Sequence, residues 1–285
     1  MGRRTGIIAA AAALLSGCSA SRALDALVPD SGYRFQGDVG YGPDARQKLD
    51  VYQPEQRVLG APLVVFFYGG HWSRGSRSEY RFLGQSLASA GVVTVIADYR
   101  LSPQVRWQAI LADCASATRW AFDHAERLGA DPQRIHVMGH SAGGYNAAML
   151  ALDARWLGAQ GLTPRRLAGW IGLAGPYDFL PISDGATQVA FGWPDTPADS
   201  QPIHHVSSAA PPALLIAAAQ DTVVSTQRST VGLGTRLERA GVPVRVRVLD
   251  KLNHVSVMAA MARPLKWLSP VREEVLEFLA QAPRR

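Results

Sequence analysis

Continuous apolar runs mark most of the strands that the sequence predicts. Four such runs lie at 63–68, 92–97, 167–173 and 212–218. Runs without alternation are typical of parallel strands that are buried on both faces. Segments with helical patterning lie between them, at about 78–90, 109–127 and 226–240, and another covers 270–280. The repeated order of strand, helix and strand predicts an α/β fold with a mostly parallel, twisted sheet and helices on both faces.

Two segments depart from this order. Residues 33–41 and 48–52 show short β-type patterning broken by glycine and proline, which predicts an antiparallel edge to the sheet. Residues 175–208 contain five prolines and four large aromatic residues, a mixture that suits neither a long helix nor a strand. Long irregular segments inside a compact domain are commonly active-site lids. We therefore expect a short lid at about 175–208, between two late strands.

A glycine-flanked serine follows the apolar strand at 135–138. Gly139, Ser141 and Gly143 form the pattern G-x-S-x-G, and a helix-favouring run begins at Ala142. This pattern places the serine on a sharp strand-to-helix turn with its hydroxyl clear of the backbone. Glycine is expected at both flanks because a Cβ there would collide with the neighbouring chain. Ser141 is therefore the predicted nucleophile, rather than part of an ordinary glycine-rich turn.

Such a serine needs a histidine to accept its proton and an acid to orient that histidine. In a sheet of this kind, the acid and then the histidine follow the serine along the chain, on loops at the carboxyl ends of later strands. Asp221 follows the run at 212–218, and His254 follows a strand predicted at 244–249. Asp178 also follows a strand and is a rival for the acid.

Acyl transfer also requires hydrogen-bond donors for the oxyanion of the tetrahedral intermediate. The backbone amide of Ala142 is one predicted donor. The others are the amides of Gly69 and Gly70, whose missing side chains let the backbone approach the substrate. The predicted pocket combines residues after these glycines with aromatic residues of the lid, namely His71, Trp72, Tyr177, Phe179 and Trp193.

No metal site is predicted from the remaining histidines. His140 adjoins the nucleophile, so we expect its side chain to point elsewhere, into packing. His204 and His205 are adjacent, which does not place two ligands on one face, and no carboxylate-rich motif surrounds them.

The runs F-F-Y-G-G-H-W, A-D-Y-R-L-S-P and G-H-S-A-G-G, followed by Asp221 and His254, carry a family resemblance. Over about 48–278 the chain resembles α/β-hydrolases of the esterase and lipase group, near hormone-sensitive-lipase-like esterases, isoprenylcysteine methylesterases and kynurenine formamidases. The resemblance implies an α/β-hydrolase fold, carboxylic-ester hydrolysis and no cofactor. The chain departs from the group at Tyr68, where the usual H-G-G-x-W pattern has a histidine that is generally structural. We expect the oxyanion hole to form with its loop packed differently.

The expected function is therefore that of a carboxylesterase acting on small esters with short to medium acyl chains, through a Ser-His-Asp triad and an acyl-enzyme. Two alternatives remain open. The same triad serves formamidases and amidases of the kynurenine formamidase type. The chain could also be a non-catalytic envelope binding protein built on a hydrolase scaffold, because a fold alone does not guarantee activity.

Composition and charge indicate a single globular domain and argue against a nucleic-acid-binding protein. The 285 residues are 47% hydrophobic and 18% charged, which suits one α/β domain with a large core. The net charge of +6 comes from arginines scattered along the chain rather than from one basic block with interleaved aromatic residues. A nucleic-acid site concentrates its charge on one face, so nucleic-acid binding is not expected.

The first residues predict export. Arg3 and Arg4 precede an apolar run at 7–15 that is too short to span a bilayer, and Leu-Ser-Gly-Cys ends at Cys18. This resembles a bacterial lipoprotein signal over 1–17, which implies lipidation of Cys18. The alternative is an ordinary secretory peptide with an incidental cysteine.

If residues 1–17 are a lipoprotein signal, the rest of the chain is predicted to consist of a tether at 18–30 and a hydrolase domain at 31–285. Ser19 stands where an aspartate would favour retention in the inner membrane, which implies an outer-membrane anchor facing the periplasm of a bacterial cell envelope. With Cys18 lipidated, Cys114 has no disulfide partner and is expected to fill the core.

Overall fold

An eight-stranded sheet runs through the molecule in the order β1-β2-β4-β3-β5-β6-β7-β8. The computed structural model describes residues 31–281 and, before them, Leu24, Val28 and Pro29. The strands are β1 (Tyr33–Gly40), β2 (Lys48–Pro54), β3 (Ala61–Phe67), β4 (Val93–Ala97), β5 (Ala130–His140), β6 (Gly169–Leu173), β7 (Ala213–Ala218) and β8 (Val244–Leu249).

The sheet is parallel from β4 through β3 and β5 to β8, and its β1 and β2 edge is antiparallel. Every residue of β4, β6 and β7 is buried, as their continuous apolar runs predict. The edge strand β8 differs, because Arg245 and Arg247 alternate with its apolar residues and both pair with Glu274. Charged side chains on an edge strand oppose pairing with another sheet.

Helices surround the sheet, which confirms the predicted α/β class. They are α1 (Arg81–Ala88), α2 (Trp107–His124), α3 (Ala142–Leu152), α4 (Ala154–Gly158), α5 (Gly185–Phe191), α6 (Gly232–Arg239), α7 (Ser256–Ala259) and α8 (Val271–Gln281). The helix predicted at 78–90 is a 3₁₀ turn, Arg77–Tyr80, followed by α1. The helix predicted at 226–240 opens with one π turn, Gln227–Val231.

The segment predicted as a lid connects β6 to β7. It contains α5 and two 3₁₀ turns, Ala198–Ser200 and Pro202–His204. Asp184 begins α5, because its side chain accepts a hydrogen bond from the amide of Thr187. Gly192 ends the helix in the left-handed conformation, with φ of 70°. The aromatic residues of the segment therefore separate into a group before α5 and a group at its end.

The structure describes only some of the residues on which the export hypothesis depends. The predicted signal peptide and Cys18 lie outside the described residues. Leu24, inside the segment predicted as a tether, is buried against the core with 7% of its surface exposed. Cys114 is buried and free, as expected of a core residue. In the described part of the chain, no helix combines the length and hydrophobicity needed to cross a membrane.

His136 is a titratable group at the centre of the sheet. It lies on β5, is fully buried, and meets Phe278 edge to face at 6.1 Å between ring centroids. Burial lowers the pKa of His136 from 6.5 to about 4, because desolvation disfavours the imidazolium ion. Between these two pH values the unfolded chain binds a proton that the folded chain does not. This histidine therefore opposes folding increasingly as the pH falls from 6.5 towards 4.

We expect the free energy of unfolding to decrease by up to about 3 kcal/mol over this pH interval because of His136 alone. In His136→Asn this contribution to the pH dependence of the free energy of unfolding should disappear, whatever the variant's stability at pH 7. Urea unfolding at pH 7 and at pH 4.5 measures it, with His204→Asn as the matched control because His204 is exposed. An equal loss of stability on acidification in the wild type and in His136→Asn would contradict this assignment.

Candidate active site

Ser141 occupies a strained turn between β5 and α3. Its φ of 54° and ψ of −122° lie outside the regions that residues with a side chain prefer. The turn is held by two backbone hydrogen bonds. The Ser141 amide donates to the carbonyl of Leu173 at 2.9 Å, and the Ser141 carbonyl accepts from the Tyr145 amide at 3.1 Å. The serine side chain is thereby fixed at the carboxyl end of the central strands.

The flanking glycines make this turn possible. A Cβ at Gly139 would fall 2.0 Å from the carbonyl oxygen of Gly143, and a Cβ at Gly143 would fall 1.9 Å from that of Phe67. Both atoms belong to the backbone, so neither can move aside as a flexible side chain could. At Gly144 a Cβ would meet the Cα of Gly175 at 3.0 Å. The turn, the following helix and strand β3 therefore approach more closely than any side chain would permit.

The structure brings Ser141, Asp221 and His254 together. His254 Nε2 lies 2.8 Å from Ser141 Oγ, and its Nδ1 lies 2.8 Å from Asp221 Oδ2. The acid and the histidine lie on the loops after β7 and β8, at the same edge of the sheet as the serine. The rival acid Asp178 instead pairs with Arg228 at 2.8 Å. Three side chains distant in sequence thus form one continuous chain of hydrogen bonds.

The hydrogen bonds around Asp221 fix the protonation pattern. Burial would raise the pKa of Asp221, but hydrogen bonds from His254 and from the amides of Val224 and Val223 outweigh this effect and lower it. Asp221 is therefore ionised at neutral pH and accepts from Nδ1–H of His254. The second ring nitrogen, Nε2, then carries the lone pair that faces the Ser141 hydroxyl. This is the tautomer that a general base requires.

His140 forms a hydrogen bond with the backbone of His254. Its Nε2 donates to the carbonyl of His254 at 2.8 Å, and the two rings lie 5.0 Å apart. Burial lowers the pKa of His140 to about 3, and repulsion from His254 in its protonated form acts in the same direction, so His140 is neutral. Its ring thus packs against the loop of His254, beside the triad. Its contact with the loop of His254 was not foreseen, because no spacing rule connects residues 140 and 254.

The glycine loop after β3 lies directly beside the nucleophile. A Cβ at Gly69 would fall 2.9 Å from the Cβ of Ser141, and the backbone of Gly70 has φ of 131°, which favours glycine. His71 and Trp72 continue the loop with φ of 53° and 56°. The amide of Ala142 is the first of α3 and so has no acceptor within the helix. The three residues predicted to bind an oxyanion therefore lie around Ser141.

Tyr68 anchors this loop from the core. Its hydroxyl accepts from Nη2 of Arg46 and donates to Oδ1 of Asp98, both at 2.7 Å. Its ring stacks on Tyr99 at 4.7 Å, and the Tyr99 hydroxyl donates to the Tyr68 carbonyl at 2.7 Å. Asp98 also accepts from Arg77, so the buried carboxylate is paired. The loop is thus held by a tyrosine where the resembling family has a histidine.

A cavity of about 120 Å³ opens at Ser141. Of the five residues predicted to form a pocket, His71, Trp72 and Phe179 line it. The other apolar walls are residues that the sequence analysis missed, namely Pro176, Ile182, Val223 and Val224. The two valines stand two and three residues after Asp221, and this position after the predicted acid was the one sequence signal for them.

Tyr177 and Trp193, which were also predicted, do not line the cavity. Tyr177 is fully buried and packs over β6, where a Cβ at Gly172 would fall 1.9 Å from its hydroxyl oxygen. Trp193 follows the left-handed Gly192 that ends α5 and has 43% of its surface exposed. Aromatic composition therefore did not reveal which rings of the segment face the cavity.

The polar wall of the cavity joins the glycine loop to the lid. Nδ1 of His71 donates to Oδ2 of Asp184 at 3.1 Å. The same carboxylate accepts from the amide and the hydroxyl of Thr187, at 2.8 and 2.7 Å. These hydrogen bonds and the charge of His71 outweigh burial and lower the pKa of Asp184. Across residues 31–281 and the three earlier positions, no group of three or more histidines, cysteines or acids could hold a metal ion.

Comparison with known proteins identifies relatives for most of the chain. Residues 49–233, well over half of the sequence, match the BD-FAE family. Esterase LipC of Mycobacterium tuberculosis is 32% identical over 217 residues, which cover 69% of this chain and 54% of that protein. A probable isoprenylcysteine alpha-carbonyl methylesterase, ICMEL1 of Arabidopsis thaliana, is 24% identical over 247 residues, covering 77% and 50%. The chain spans about half the length of these two curated relatives.

Solved structures show the same fold. A bacterial heroin esterase superposes with a TM-score of 0.74 at 22% identity, covering 96% of each chain. A truncated carbohydrate esterase from gut microbiota gives a TM-score of 0.76 at 19% identity, covering 90% of this chain and 98% of the other. The resemblance to α/β-hydrolase esterases is thus confirmed, and the chain belongs to the BD-FAE family.

Proposed function

We propose that the protein is a serine hydrolase that cleaves carboxylic esters through an acyl-enzyme. The observation that carries this proposal is the pair of 2.8 Å contacts that His254 makes with Ser141 and Asp221. The strained turn and the adjacent cavity support it, because they leave the serine hydroxyl open to a substrate. Curated relatives named esterase, carboxylesterase and carboxylic ester hydrolase support it as well.

In the first half of the reaction, Ser141 Oγ attacks the carbonyl carbon of the ester while His254 Nε2 takes the hydroxyl proton. The carbonyl oxygen becomes an oxyanion and accepts hydrogen bonds from the amides of Ala142, Gly69 and Gly70. The bond to the leaving oxygen then breaks, and His254 gives that oxygen the proton. An alcohol departs, and the acyl group remains esterified to Ser141.

In the second half, a water molecule replaces the alcohol. His254 accepts a proton from the water as its oxygen attacks the acyl carbon, and then returns a proton to Ser141 Oγ as the carboxylic acid leaves. The ionised Asp221 stabilises the imidazolium ion that forms in each half. His140 acts on this sequence as a positioning residue, because its hydrogen bond holds the backbone carbonyl of His254.

The shape of the cavity favours short acyl chains. Its volume is about 120 Å³, well below the about 300–1,000 Å³ of sites that hold drug-sized ligands. Trp72, Phe179 and Ile182 give it apolar walls that suit an alkyl chain. A long acyl chain or a polymer would need a longer groove than this.

Replacement of the proposed triad should separate catalysis from structure. We expect Ser141→Ala to lower kcat for p-nitrophenyl butyrate by at least about 10⁴-fold, and Asp221→Asn by about 10³–10⁴-fold. Asp178→Asn is the matched control, because this acid also follows a late strand but pairs with Arg228, and it should retain activity within about twofold. Full activity in Ser141→Ala would refute the assignment.

Faster turnover of N-formylkynurenine than of the ester by the wild-type protein would favour the formamidase alternative. No turnover of either substrate by the wild-type protein would favour a binding protein.

Chain-length preference tests the acyl pocket. Phe179→Ala should open the cavity, so kcat/KM for p-nitrophenyl octanoate relative to the butyrate should rise by about tenfold, in line with the effect of apolar contacts on specificity. Trp193→Ala is the matched control, because this aromatic residue lies in the same lid segment but outside the cavity, and its ratio should not change. Equal ratios in both variants would show that Phe179 does not limit the acyl chain.

We also propose that the mature protein is anchored by lipid at Cys18, in the outer membrane of the bacterial envelope and facing the periplasm. The support is the signal-like sequence alone. Cells expressing the protein should incorporate an alkyne-labelled fatty acid into it, and Cys18→Ala should abolish the label. Labelling that persists in Cys18→Ala would rule out this anchor.

A further inference from the structure

A second cavity lies on a different part of the surface from Ser141 and is rich in positive charge. Its volume is about 410 Å³, and its lining residues are Pro29, Ser89, Arg263, Pro264, Lys266 and Arg272. Arg263 and Lys266 belong to an exposed 3₁₀ helix, Arg263–Leu268, and Arg272 lies in the first turn of α8. Three cations therefore converge on one opening.

Arginines such as Arg77, Arg100 and Arg245 pair with carboxylates, and the three cations of this cavity differ from them. Within the described residues, none of the three forms an ion pair with a carboxylate. Arg272 instead donates to Oγ and to the carbonyl oxygen of Ser86, at 2.8 and 3.1 Å. Burial lowers the pKa of Arg272, Glu273 raises it, and repulsion from Arg263 lowers it again. Even with Glu273 included, the cluster keeps an excess of positive charge.

An exposed tryptophan stands beside the cations. Trp267 has 71% of its surface exposed, and the next residue, Leu268, has 37%. Nε1 of Trp267 donates to the carbonyl of Pro264 at 3.1 Å, so the one polar atom of the indole is already bonded within the segment. Its apolar ring therefore faces outwards. Tryptophan next to lysine and arginine is typical of proteins that lie at a membrane–water interface. We call Arg263, Lys266, Trp267, Leu268 and Arg272 the basic patch.

The basic patch lies apart from the active site, because the two cavities have no lining residue in common. Ser89 ends α1 just before β4, and Pro29 precedes β1, which runs parallel to β4 because both are antiparallel to β2. These two lining residues therefore lie towards the amino ends of the strands. Ser141, Asp221 and His254 follow the carboxyl ends of their strands. A surface that covered the basic patch would leave the active site open.

The length of the preceding chain limits how far this patch can lie from a lipid anchor. The segment from residue 18 to residue 29 reaches at most about 40 Å when fully extended. With Cys18 lipidated, as proposed above, Pro29 and the cavity that it lines stay within that distance of the bilayer. The position of residues 18–29 and the positive charge of the patch thus both indicate an anionic bilayer as the partner.

We propose that the basic patch docks the folded domain on an anionic lipid bilayer. Lys and Arg would contact lipid phosphates, and Trp267 and Leu268 would enter the headgroup region. The choice of a bilayer rather than an acidic protein rests on the proposed anchor. Docking through the basic patch leaves the cavity at Ser141 uncovered. The enzyme would then receive water-soluble esters rather than the lipids beneath it.

Vesicle flotation of the proposed mature chain, residues 18–285, carrying Cys18→Ser tests docking without an acyl chain and without the apolar run at 7–15. The vesicles contain phosphatidylcholine alone or with 30% phosphatidylglycerol, a composition chosen here to supply negative charge. We expect binding to the anionic vesicles to weaken with salt and to fall about tenfold or more in Arg263→Glu/Lys266→Glu. The control Arg127→Glu/Arg239→Glu has the same net charge and should keep at least half of the wild-type binding. Equal binding by the two double variants would overturn the proposal.

Tryptophan fluorescence provides a second measurement that does not depend on overall affinity. Brominated phosphatidylcholine in the anionic vesicles should quench part of the emission, and Trp267→Phe should remove that quenching. Hydrolysis of a soluble ester by vesicle-bound protein should proceed at the rate of the free protein, because the basic patch and the active-site cavity share no residue. Quenching that persists in Trp267→Phe, or a bound enzyme that loses its activity, would contradict this orientation.

Discussion

The close approach of three backbone segments at Ser141 is the constraint on which the site depends. The end of β5, the start of α3 and the end of β3 meet at distances that exclude a Cβ at Gly139 and Gly143. This contact forces φ of Ser141 to a positive value and directs its hydroxyl away from the sheet. The same contact brings Gly69 beside the serine. Nucleophile and glycine loop are thus positioned by one packing arrangement.

The buried charged groups near Ser141 are all paired with hydrogen-bond donors. Each buried carboxylate near the site has a donor: Asp221 accepts from His254, and Asp98 accepts from Tyr68 and Arg77. An unpaired buried charge would be costly, so these contacts hold their loops in one conformation. His140 is buried and neutral, which avoids repulsion as His254 gains a proton during the proposed reaction. The electrostatics therefore suit a histidine that alternates between two charge states.

The sequence predicted the features that chain order determines. Continuous apolar runs predicted the parallel strands, and the order serine, acid, histidine singled out Asp221 over Asp178. What the sequence did not predict depends on how separate loops pack. Tyr177 turns into the core while Ile182 reaches the cavity, and no local pattern distinguishes the two. The bond from His140 to the carbonyl of His254 joins positions that only the folded chain brings together.

The most direct test of the central claim is the location of a fluorophosphonate adduct by mass spectrometry. Such a probe reacts with a serine whose hydroxyl has a histidine as its base. The account predicts one adduct per chain, on the peptide that contains Ser141, formed much more slowly in His254→Ala. A folded protein that remains unlabelled, or an adduct on a serine other than Ser141, would contradict it.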